Sequence, residues 1–484
     1  MRKAKIVCTI GPATASPTML DRLIESGMDA ARLNFSHGTH EAHAAAIAAI
    51  RQAAARRQVA VAIVQDVQGP RIRIGAVPEG GIAVRSGQSV RMRPVSLPSS
   101  SRPPSPSPPT HSSLPDIPIL YPSLTRDLKQ GARILINDGL IELFADRVAD
   151  SHVDCTVVTG GTILSHKGIN LPGTDVSVPT LTDKDREDLR FGIAQGVDYV
   201  ALSFVRGPED IRAARGFIAD CGGDQPIIAK IERAEAVAAL DALLDEADGV
   251  MIARGDLGVE MGPEAVPILQ KRIIMEANRR RRLVITATQM LESMTQSPRP
   301  TRAEASDVAN AVFDGTDAVM LSAETAVGTY PLETVQVMDR IIQAAEQEAG
   351  STSLFRRRTD VEPMPFPDAV CTAAYFAAQA IAADMIVVFS ERGATARLIS
   401  KQRPISPIIA FTPYESVRQR MALYWGVRPS LIPQIEHTDD RVEEAERKLK
   451  AEGLVKGGEK IVILSGTQVG QPGGTNLMKL HEVR

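Results

Sequence analysis

The feature that most constrains the fold is a strand–helix–strand pattern over residues 225–256. Two short apolar runs each end in charged residues: Lys230 and Glu232 close the first run, and Asp256 follows the second. Between them, residues 234–246 carry Ala, Val and Leu at helical spacing. A unit of this length implies parallel strands whose carboxyl ends share one face, where binding sites form. The pattern predicts that the lysine and two carboxylates converge there, ready for a divalent cation and a phosphoryl group. A surface ion pair is the alternative.

The same alternation of apolar runs and helical patterns extends along most of the chain. Eight runs outside residues 71–177 are predicted strands: 5–10, 30–36, 61–67, 198–204, 226–232, 249–254, 283–289 and 318–323. Eight strands, each followed by a helix, predict an α/β fold built on a TIM (β/α)8 barrel. The predicted domains are a first barrel segment (1–70), an inserted all-β lid (71–177), a second barrel segment (178–348) and a C-terminal α/β domain (349–484).

Composition narrows the class of protein. The net charge of −3 and the single short basic block, residues 279–282, argue against nucleic-acid binding. Four cysteines without a CxxC pair favour a reduced, intracellular protein without structural zinc. The sequence has neither a signal-peptide pattern nor a membrane-spanning run, so we expect a cytoplasmic protein. Residues 94–118, rich in Pro and Ser, are predicted to form a loop that contributes little to a core.

Several long motifs then resemble one family in order and over nearly the whole chain. They are KIVCTIGPAT, ARLNFSHG, HKGINLPG, AKIER, MIARGDLGVE, ITATQMLESM, PRPTRAE and MLSAET. The chain resembles pyruvate kinase. The resemblance implies a glycolytic kinase that transfers the phosphoryl group of phosphoenolpyruvate to ADP, giving pyruvate and ATP. It also implies Mg²⁺ or Mn²⁺ as cofactor and a homotetramer.

The resemblance also implies roles for single residues. Glu232 and Asp256 match the metal ligands. Residues matching the family's catalytic groups are Lys230, Thr288, Arg32, Arg73, Ser322 and Glu324. Those matching its substrate-binding groups are Arg32, Lys230, Arg254, Gly255, Asp256 and Thr288. Those matching its nucleotide contacts are Asn34, His37, Arg73 and Lys167. The sequence singles out no one donor for the proton that the enolate carbon receives.

The chain departs from the potassium-dependent members of the family. Those members bind K⁺ through an Asn, a Ser, an Asp and a Thr. The corresponding residues here are Asn34, Ser36, Asp66 and Val67. Valine offers no side-chain oxygen, and Arg71 replaces the usual glutamate with a permanent cation. We therefore expect activity that does not require K⁺.

The C-terminal domain contains a candidate effector loop, SERGAT, with a second loop near 466–474. The family uses this pair of loops for phosphorylated activators, and the candidate residues are Ser390, Arg392, Gly393 and Thr395. Glu391 adds a negative charge, and Arg392 replaces a hydroxyl residue usual in the family. A sugar phosphate or nucleoside monophosphate is the expected ligand class.

Two other functions fit parts of the pattern. Another phosphoenolpyruvate or oxo-acid barrel enzyme would share the lysine and carboxylates, but it would need neither the nucleotide contacts nor the lid. A silenced paralogue acting as a phospho-ligand sensor would normally lack one catalytic charge, and none is lost here.

Overall fold

The computed structural model describes residues 2–95, 114–352, 364–435, 437–466 and 474–484. The first barrel segment consists of β1 (Lys5–Thr9), α1 (Pro17–Glu25), β2 (Ala30–Asn34), α2 (His40–Arg56) and β3 (Ala62–Asp66). The side chains of Ser16 and Thr39 accept hydrogen bonds from the first turns of α1 and α2, which fixes where both helices begin.

The inserted segment forms the lid. Its elements are β4 (Ile82–Val84), β5 (Ser89–Pro94), β6 (Asp116–Ile119), α3 (Leu124–Asp127), β7 (Arg133–Ile136), β8 (Ile141–Ala149), β9 (His152–Thr159), β10 (Gly161–Ile163) and β11 (Ile169–Asn170). Six strands form one sheet in the order β11-β7-β8-β9-β5-β6, and β10 pairs with β4. The strands β5 and β6 include residues at both ends of the predicted 94–118 loop, while 96–113 lie outside the described residues.

The second barrel segment completes the cylinder. Its strands are β12 (Tyr199–Leu202), β13 (Ile227–Ile231), β14 (Gly249–Ala253), β15 (Leu283–Ala287) and β16 (Ala318–Leu321). Its helices are α4 (Asp183–Ala194), α5 (Pro208–Asp220), α6 (Ala234–Ala238), α7 (Leu240–Glu246), α8 (Arg254–Met261), α9 (Val266–Arg279), α10 (Arg302–Asp314), α11 (Ala323–Ala326) and α12 (Pro331–Thr352). The eight parallel strands close in the order β1-β16-β15-β14-β13-β12-β3-β2. The predicted TIM barrel is therefore confirmed.

The C-terminal domain is a five-stranded α/β layer. It contains α13 (Phe366–Ala380), β17 (Met385–Phe389), α14 (Ala394–Ser400), β18 (Ile408–Thr412), α15 (Glu415–Met421), β19 (Val427–Leu431), α16 (Thr438–Ala451), β20 (Lys460–Gly466) and β21 (Thr475–Glu482). The sheet order is β19-β18-β17-β20-β21, with only β21 antiparallel to its neighbour.

The C-terminal domain packs against the amino ends of the barrel strands. Lys5 donates to the carbonyl of Val427 at 2.8 Å, and the Tyr199 hydroxyl donates to the carbonyl of Arg420 at 2.7 Å. Asp317, which precedes β16, pairs with the buried side chains of Lys401 and Arg403. This domain therefore leaves the carboxyl ends of the strands free for a site.

Two details differ from the sequence prediction. The helix predicted over 234–246 is interrupted at Ala239, which separates α6 from α7. Arg254, the last residue of the predicted strand 249–254, instead begins α8, and Gly255 and Asp256 belong to the same first helical turn. Among the described residues, no helix is long and apolar enough to cross a membrane.

Candidate active site

Lys230 lies near the carboxyl end of β13 and is the centre of a buried charge cluster. Its Nζ is 2.9 Å from Glu232 Oε1 and 3.2 Å from Asp66 Oδ1, and it donates to Ser203 Oγ at 2.7 Å. Burial alone would disfavour the ammonium, but the two carboxylates outweigh it and raise the pKa of Lys230. The side chain is therefore a fixed positive charge at the barrel mouth.

Asp66 is the last residue of β3, and its carboxylate pairs with two cationic side chains. Its Oδ2 accepts from Arg32 Nε at 2.6 Å, and its Oδ1 faces Lys230. Burial acts to raise the pKa of Asp66, but Lys230 and Arg32 overcome it and the pKa is lowered. Arg32 also donates to Thr9 Oγ1 at 3.1 Å, so its guanidinium is oriented from both neighbouring strands. The sequence placed Asp66 only in the potassium region, but it is also the counter-ion of Lys230 and Arg32.

Glu232 and Asp256 form the candidate metal-binding pair. Glu232 is buried, and its second oxygen accepts from the backbone amide of Phe204 at 2.8 Å. Burial raises the pKa of Glu232; Lys230 opposes this, and the negative charge of nearby Asp256 adds to it. Two carboxylates that repel each other are a fitting donor set for a divalent cation. Within the described ranges, no group of three or more His, Cys, Asp or Glu side chains could hold a metal. Substrate oxygens would complete the coordination, as Mg²⁺ commonly requires.

Thr288 and Gly255 face each other across the ends of β15 and β14. The Gly255 amide donates to Thr288 Oγ1 at 2.8 Å, and that hydroxyl donates to the Ala287 carbonyl at 2.6 Å. Thr288 has a φ of 66°, which a β-branched residue adopts only when the surroundings enforce it. The strained backbone brings the hydroxyl to the start of α8, beside Gly255 of the predicted substrate-binding set.

Arg254 directs its side chain away from the mouth. Its guanidinium donates to the Thr288 carbonyl at 2.6 Å and to Asp307 at 2.7 Å, and the residue is 8% exposed. Because the guanidinium is engaged within the protein, it is the backbone of Arg254, and not its side chain, that is placed for the predicted substrate-binding role. The side chain holds the end of β15 in place.

Ser322 and Glu324 follow β16. Both carboxylate oxygens of Glu324 accept backbone amides, from Ser322 at 2.6 Å and from Leu291 at 3.2 Å. Burial raises the pKa of Glu324 although these amides partly offset it. The hydroxyl oxygen of Ser322 is buried without a hydrogen-bond partner among the described residues. Such a group is suited to a substrate or a water molecule.

The predicted nucleotide contacts come from the barrel and the lid. Asn34 ends β2 and accepts from the amide of Ser36 at 3.2 Å, and His37 is exposed beside them. From the lid side, Arg73 donates to the His166 carbonyl at 3.0 Å, adjacent in sequence to the half-buried Lys167. Partial burial, and then the cation of Arg71, lower the pKa of Arg73. Asn34 and His37 therefore lie at the end of β2, while Arg73 and Lys167 lie together on the lid side.

Arg71 and Val67 lie where the barrel passes into the lid. Val67 is buried, and its carbonyl accepts from the Ser203 hydroxyl at 2.7 Å. The guanidinium of Arg71 is 3.5 Å from Asp138 of the lid and close to the backbone of Gly168. In this arrangement the arginine charge lies on the lid side of the predicted potassium region.

The predicted effector residues line a cavity at the carboxyl ends of β17 and β18. Ser390, Arg392 and Thr395 border it, together with Arg441 of α16. The Thr395 hydroxyl shares a hydrogen bond of 2.5 Å with Thr475 Oγ1. Gly393 has a φ of 79°, which suits glycine at the start of α14. Residues 467–473 of the second predicted loop lie outside the described residues.

Sequence reasoning missed Ser203 and Phe204, which contact Lys230 and Glu232. Both follow the carboxyl end of β12, the position that identified the charged groups of the next two strands. Their place directly after a strand was the signal that could have identified them. The prediction rested on charged residues at strand ends, and neither Ser203 nor Phe204 is charged.

Comparison with known proteins agrees with this geometry. The family models described as "Pyruvate kinase, barrel domain" and "Pyruvate kinase, alpha/beta domain" match residues 1–335 and 368–481. Pyruvate kinase 2 of Synechocystis sp. is 45% identical, and the pyruvate kinase of Geobacillus stearothermophilus is 44% identical; each match covers 100% of this chain and 80% of the relative. A solved pyruvate kinase from Cryptosporidium parvum superposes with a TM-score of 0.88 at 36% identity, covering 100% of this chain and 96% of that one. Since the two family models together match most of the chain and relatives at 44–45% identity cover all of it, the chain belongs to the pyruvate kinase family.

Proposed function

We propose that the mouth of this barrel transfers the phosphoryl group of phosphoenolpyruvate to ADP, with Lys230 and Arg32 as the cations that stabilise the negative charge of the phosphoryl oxygens during transfer. The observation that carries the proposal is the cluster of Lys230, Arg32, Asp66 and Glu232, in which both cationic side chains are only 12% exposed and are held by carboxylates. Phosphoryl transfer needs mainly positioning and positive charge, and preorganised cations supply both.

Each end of the substrate has a suitable partner. The amide of Gly255 and the hydroxyl of Thr288 lie together, and they would bind the carboxylate of phosphoenolpyruvate by exchanging their present acceptors, Thr288 Oγ1 and the Ala287 carbonyl, for its oxygens. Glu232 and Asp256 would hold Mg²⁺ or Mn²⁺, which supplies further positive charge for the substrate oxygens. Lys230 then stabilises the enolate that remains after transfer.

The nucleotide would lie between β2 and the lid. Asn34 and His37 contact it from the barrel, and Lys167 and Arg73 contact it from the lid. Because Arg73 is at the passage into the lid, lid closure would bring a phosphate ligand to the mouth. Closure would also exclude water, which otherwise competes as phosphoryl acceptor.

Protonation of the enolate would occur on the side of Thr288, Ser322 and Glu324. The free hydroxyl oxygen of Ser322 can hold a water molecule that delivers the proton. Burial raises the pKa of Glu324, and its carboxylate holds the backbone amides of Ser322 and Leu291, which positions the Ser322 hydroxyl for this role.

We further propose that the reaction does not require K⁺. Val67 has no side-chain oxygen, and both oxygens of Asp66 already face the cations Arg32 and Lys230. Arg71 adds a permanent positive charge on the lid side of this region, where it faces Asp138, so we expect an additional monovalent cation to gain little.

The assembly expected from the family is a cytoplasmic homotetramer. Two apolar patches would support subunit contacts, one on α9 (Ile268 and Met275) and one on the C-terminal domain (Phe376, Met478 and Leu480). All five side chains are exposed in the single chain.

The cavity beside Ser390 and Thr395 supports a second role, the binding of a phosphorylated effector. Arg392 and Arg441 supply cations, while Glu391 limits how much negative charge the cavity accepts. A monophosphate of a sugar or nucleoside fits this balance better than a bisphosphate. Turnover that is unchanged by a panel of such metabolites would contradict the effector role.

A coupled assay tests the main proposal. Pyruvate formed from phosphoenolpyruvate is followed through lactate dehydrogenase, with ADP and Mg²⁺, in either KCl or tetramethylammonium chloride. We expect turnover in both salts. Turnover that appears only in KCl would contradict potassium independence, and no turnover in either would contradict the kinase assignment.

A further inference from the structure

Ser203, the first residue after β12, contacts residues at the ends of the two strands that flank β12, namely β3 and β13. It is 2% exposed, and its hydroxyl accepts from Lys230 Nζ at 2.7 Å while donating to the Val67 carbonyl at 2.7 Å. Asp66 Oδ1 lies 3.3 Å from the same oxygen. Since the single hydroxyl proton has an acceptor in Val67, the lone pairs of Ser203 are directed to the ammonium.

Phe204, the next residue, acts on the other functional group of β13. Its backbone amide donates to Glu232 Oε2 at 2.8 Å. To do so it adopts a φ of 55°, a left-handed conformation that a bulky residue rarely takes. Strain of this kind persists where surrounding structure enforces it, often at functional sites. Two consecutive residues thus orient the lysine and the carboxylate together.

The Ser203 hydroxyl gives the Lys230 ammonium a hydrogen-bond acceptor that carries no charge. An ammonium group has three N–H donors, and here two face the carboxylates of Asp66 and Glu232. The charges of Lys230 and Arg32 balance those of Asp66 and Glu232, so a third carboxylate would make this cluster net negative. A hydroxyl fixes the third N–H without adding a negative charge that would repel a phosphoryl group.

We propose that Ser203 is a positioning residue for phosphoryl transfer, which holds the Lys230 ammonium at the angle required in the transition state. The proposal rests on the assigned kinase function. Ser203 acts through Lys230 and through the Val67 carbonyl, and it makes no contact of its own with the reacting atoms.

The test compares Ser203→Ala with a matched control, Ser400→Ala. Ser400 is 1% exposed and donates to the Trp425 carbonyl at 2.6 Å, so its removal deletes a similar buried hydrogen bond in the C-terminal domain. Replacing a residue that orients a functional group, without itself touching the substrate, typically lowers activity about 10–100-fold. We expect that fall in kcat for Ser203→Ala, with KM for phosphoenolpyruvate and ADP within about twofold of wild type. Ser400→Ala should retain wild-type kcat.

Ser203→Thr keeps the hydroxyl and is expected to recover kcat to within about threefold of wild type. Equal losses in the Ala and Thr variants would assign the defect to packing and overturn the proposal. A Ser203→Ala enzyme with wild-type kcat, or one that changes only KM, would also overturn it. If the wild-type enzyme itself forms no pyruvate, the kinase assignment fails, which is a separate result.

Discussion

The substitution Lys230→Met removes the central cation while keeping nearly the same side-chain volume. Met cannot pair with Asp66 or Glu232, which lie 3.2 Å and 2.9 Å from the lysine nitrogen. Asp66 keeps Arg32 as partner, and Glu232 keeps the amide of Phe204. The site should therefore remain assembled without its charge.

Two magnitudes follow from this geometry. Loss of one preorganised electrostatic contact typically lowers kcat by about 10²–10³-fold, and a central cation sets the upper part of that range. Removing one partner of a buried ion pair typically costs about 3–5 kcal/mol of folding free energy. Because each carboxylate keeps one favourable partner, we expect the lower end, about 3 kcal/mol.

The assay measures steady-state pyruvate formation together with urea unfolding. The matched control is Lys401→Met, since Lys401 is also buried and paired with a carboxylate, Asp317, but lies at the opposite end of the barrel. Lys401→Met should keep kcat within about twofold of wild type. A Lys230→Met enzyme with near wild-type kcat would refute the role of the lysine. An equal loss of kcat in both variants would assign the effect to stability.

Three further predictions concern Arg71, the Pro/Ser segment and the pH dependence of stability. Arg71→Glu should lower turnover in potassium-free buffer and make it increase on addition of KCl, and a variant as active and as indifferent to K⁺ as wild type would contradict this. Replacing residues 97–113 with a Gly/Ser linker of equal length should leave turnover and Tm unchanged. Simple deletion would not be an equivalent test, because β5 and β6 are parallel and a connection between parallel strands needs enough residues to span a strand length. A large loss of Tm would mean that the segment packs against the lid. Burial lowers the pKa of Lys401 to about 8, below its ordinary value near 10.4, because the effect of Asp317 is smaller. Between pH 8 and about 10.4 the folded state therefore binds fewer protons than the unfolded state, so Lys401 should raise the free energy of unfolding as the pH rises through this window. In urea unfolding, Lys401→Met should lack that rise.

The barrel could be predicted from the sequence because its strands are buried on both faces and read as short, continuous apolar runs. All eight predicted strands are present, and each observed strand is shorter at its carboxyl end by one or two residues. The difference has a physical cause at β12 and β15, where Phe204, Thr288 and Gln289 adopt positive φ angles that periodicity does not register. Those same residues turn the chain toward the site.

The charged members of the site were predictable for a related reason. Lys230 and Glu232 interrupt an apolar run at a strand end, and charge at that position is costly without a function. The pairing of Asp66 with Arg32 and Lys230 was not predictable, because it depends on the directions of the side chains at the barrel mouth: β2 neighbours β3, but the lysine of β13 reaches Asp66 past the intervening β12. The direction of the Arg254 guanidinium was hidden for the same reason, since its partners come from β15 and α10.

The most direct test of the central claim is a stoichiometric measurement on the wild-type enzyme. Phosphoenolpyruvate is incubated with ADP and Mg²⁺, and ATP and pyruvate are quantified in the same samples by ³¹P and ¹H NMR. Phosphoryl transfer at the Lys230 cluster predicts equal amounts of ATP and pyruvate, with neither product formed when ADP is omitted. Pyruvate released with inorganic phosphate in place of ATP, or no consumption of phosphoenolpyruvate, would contradict it.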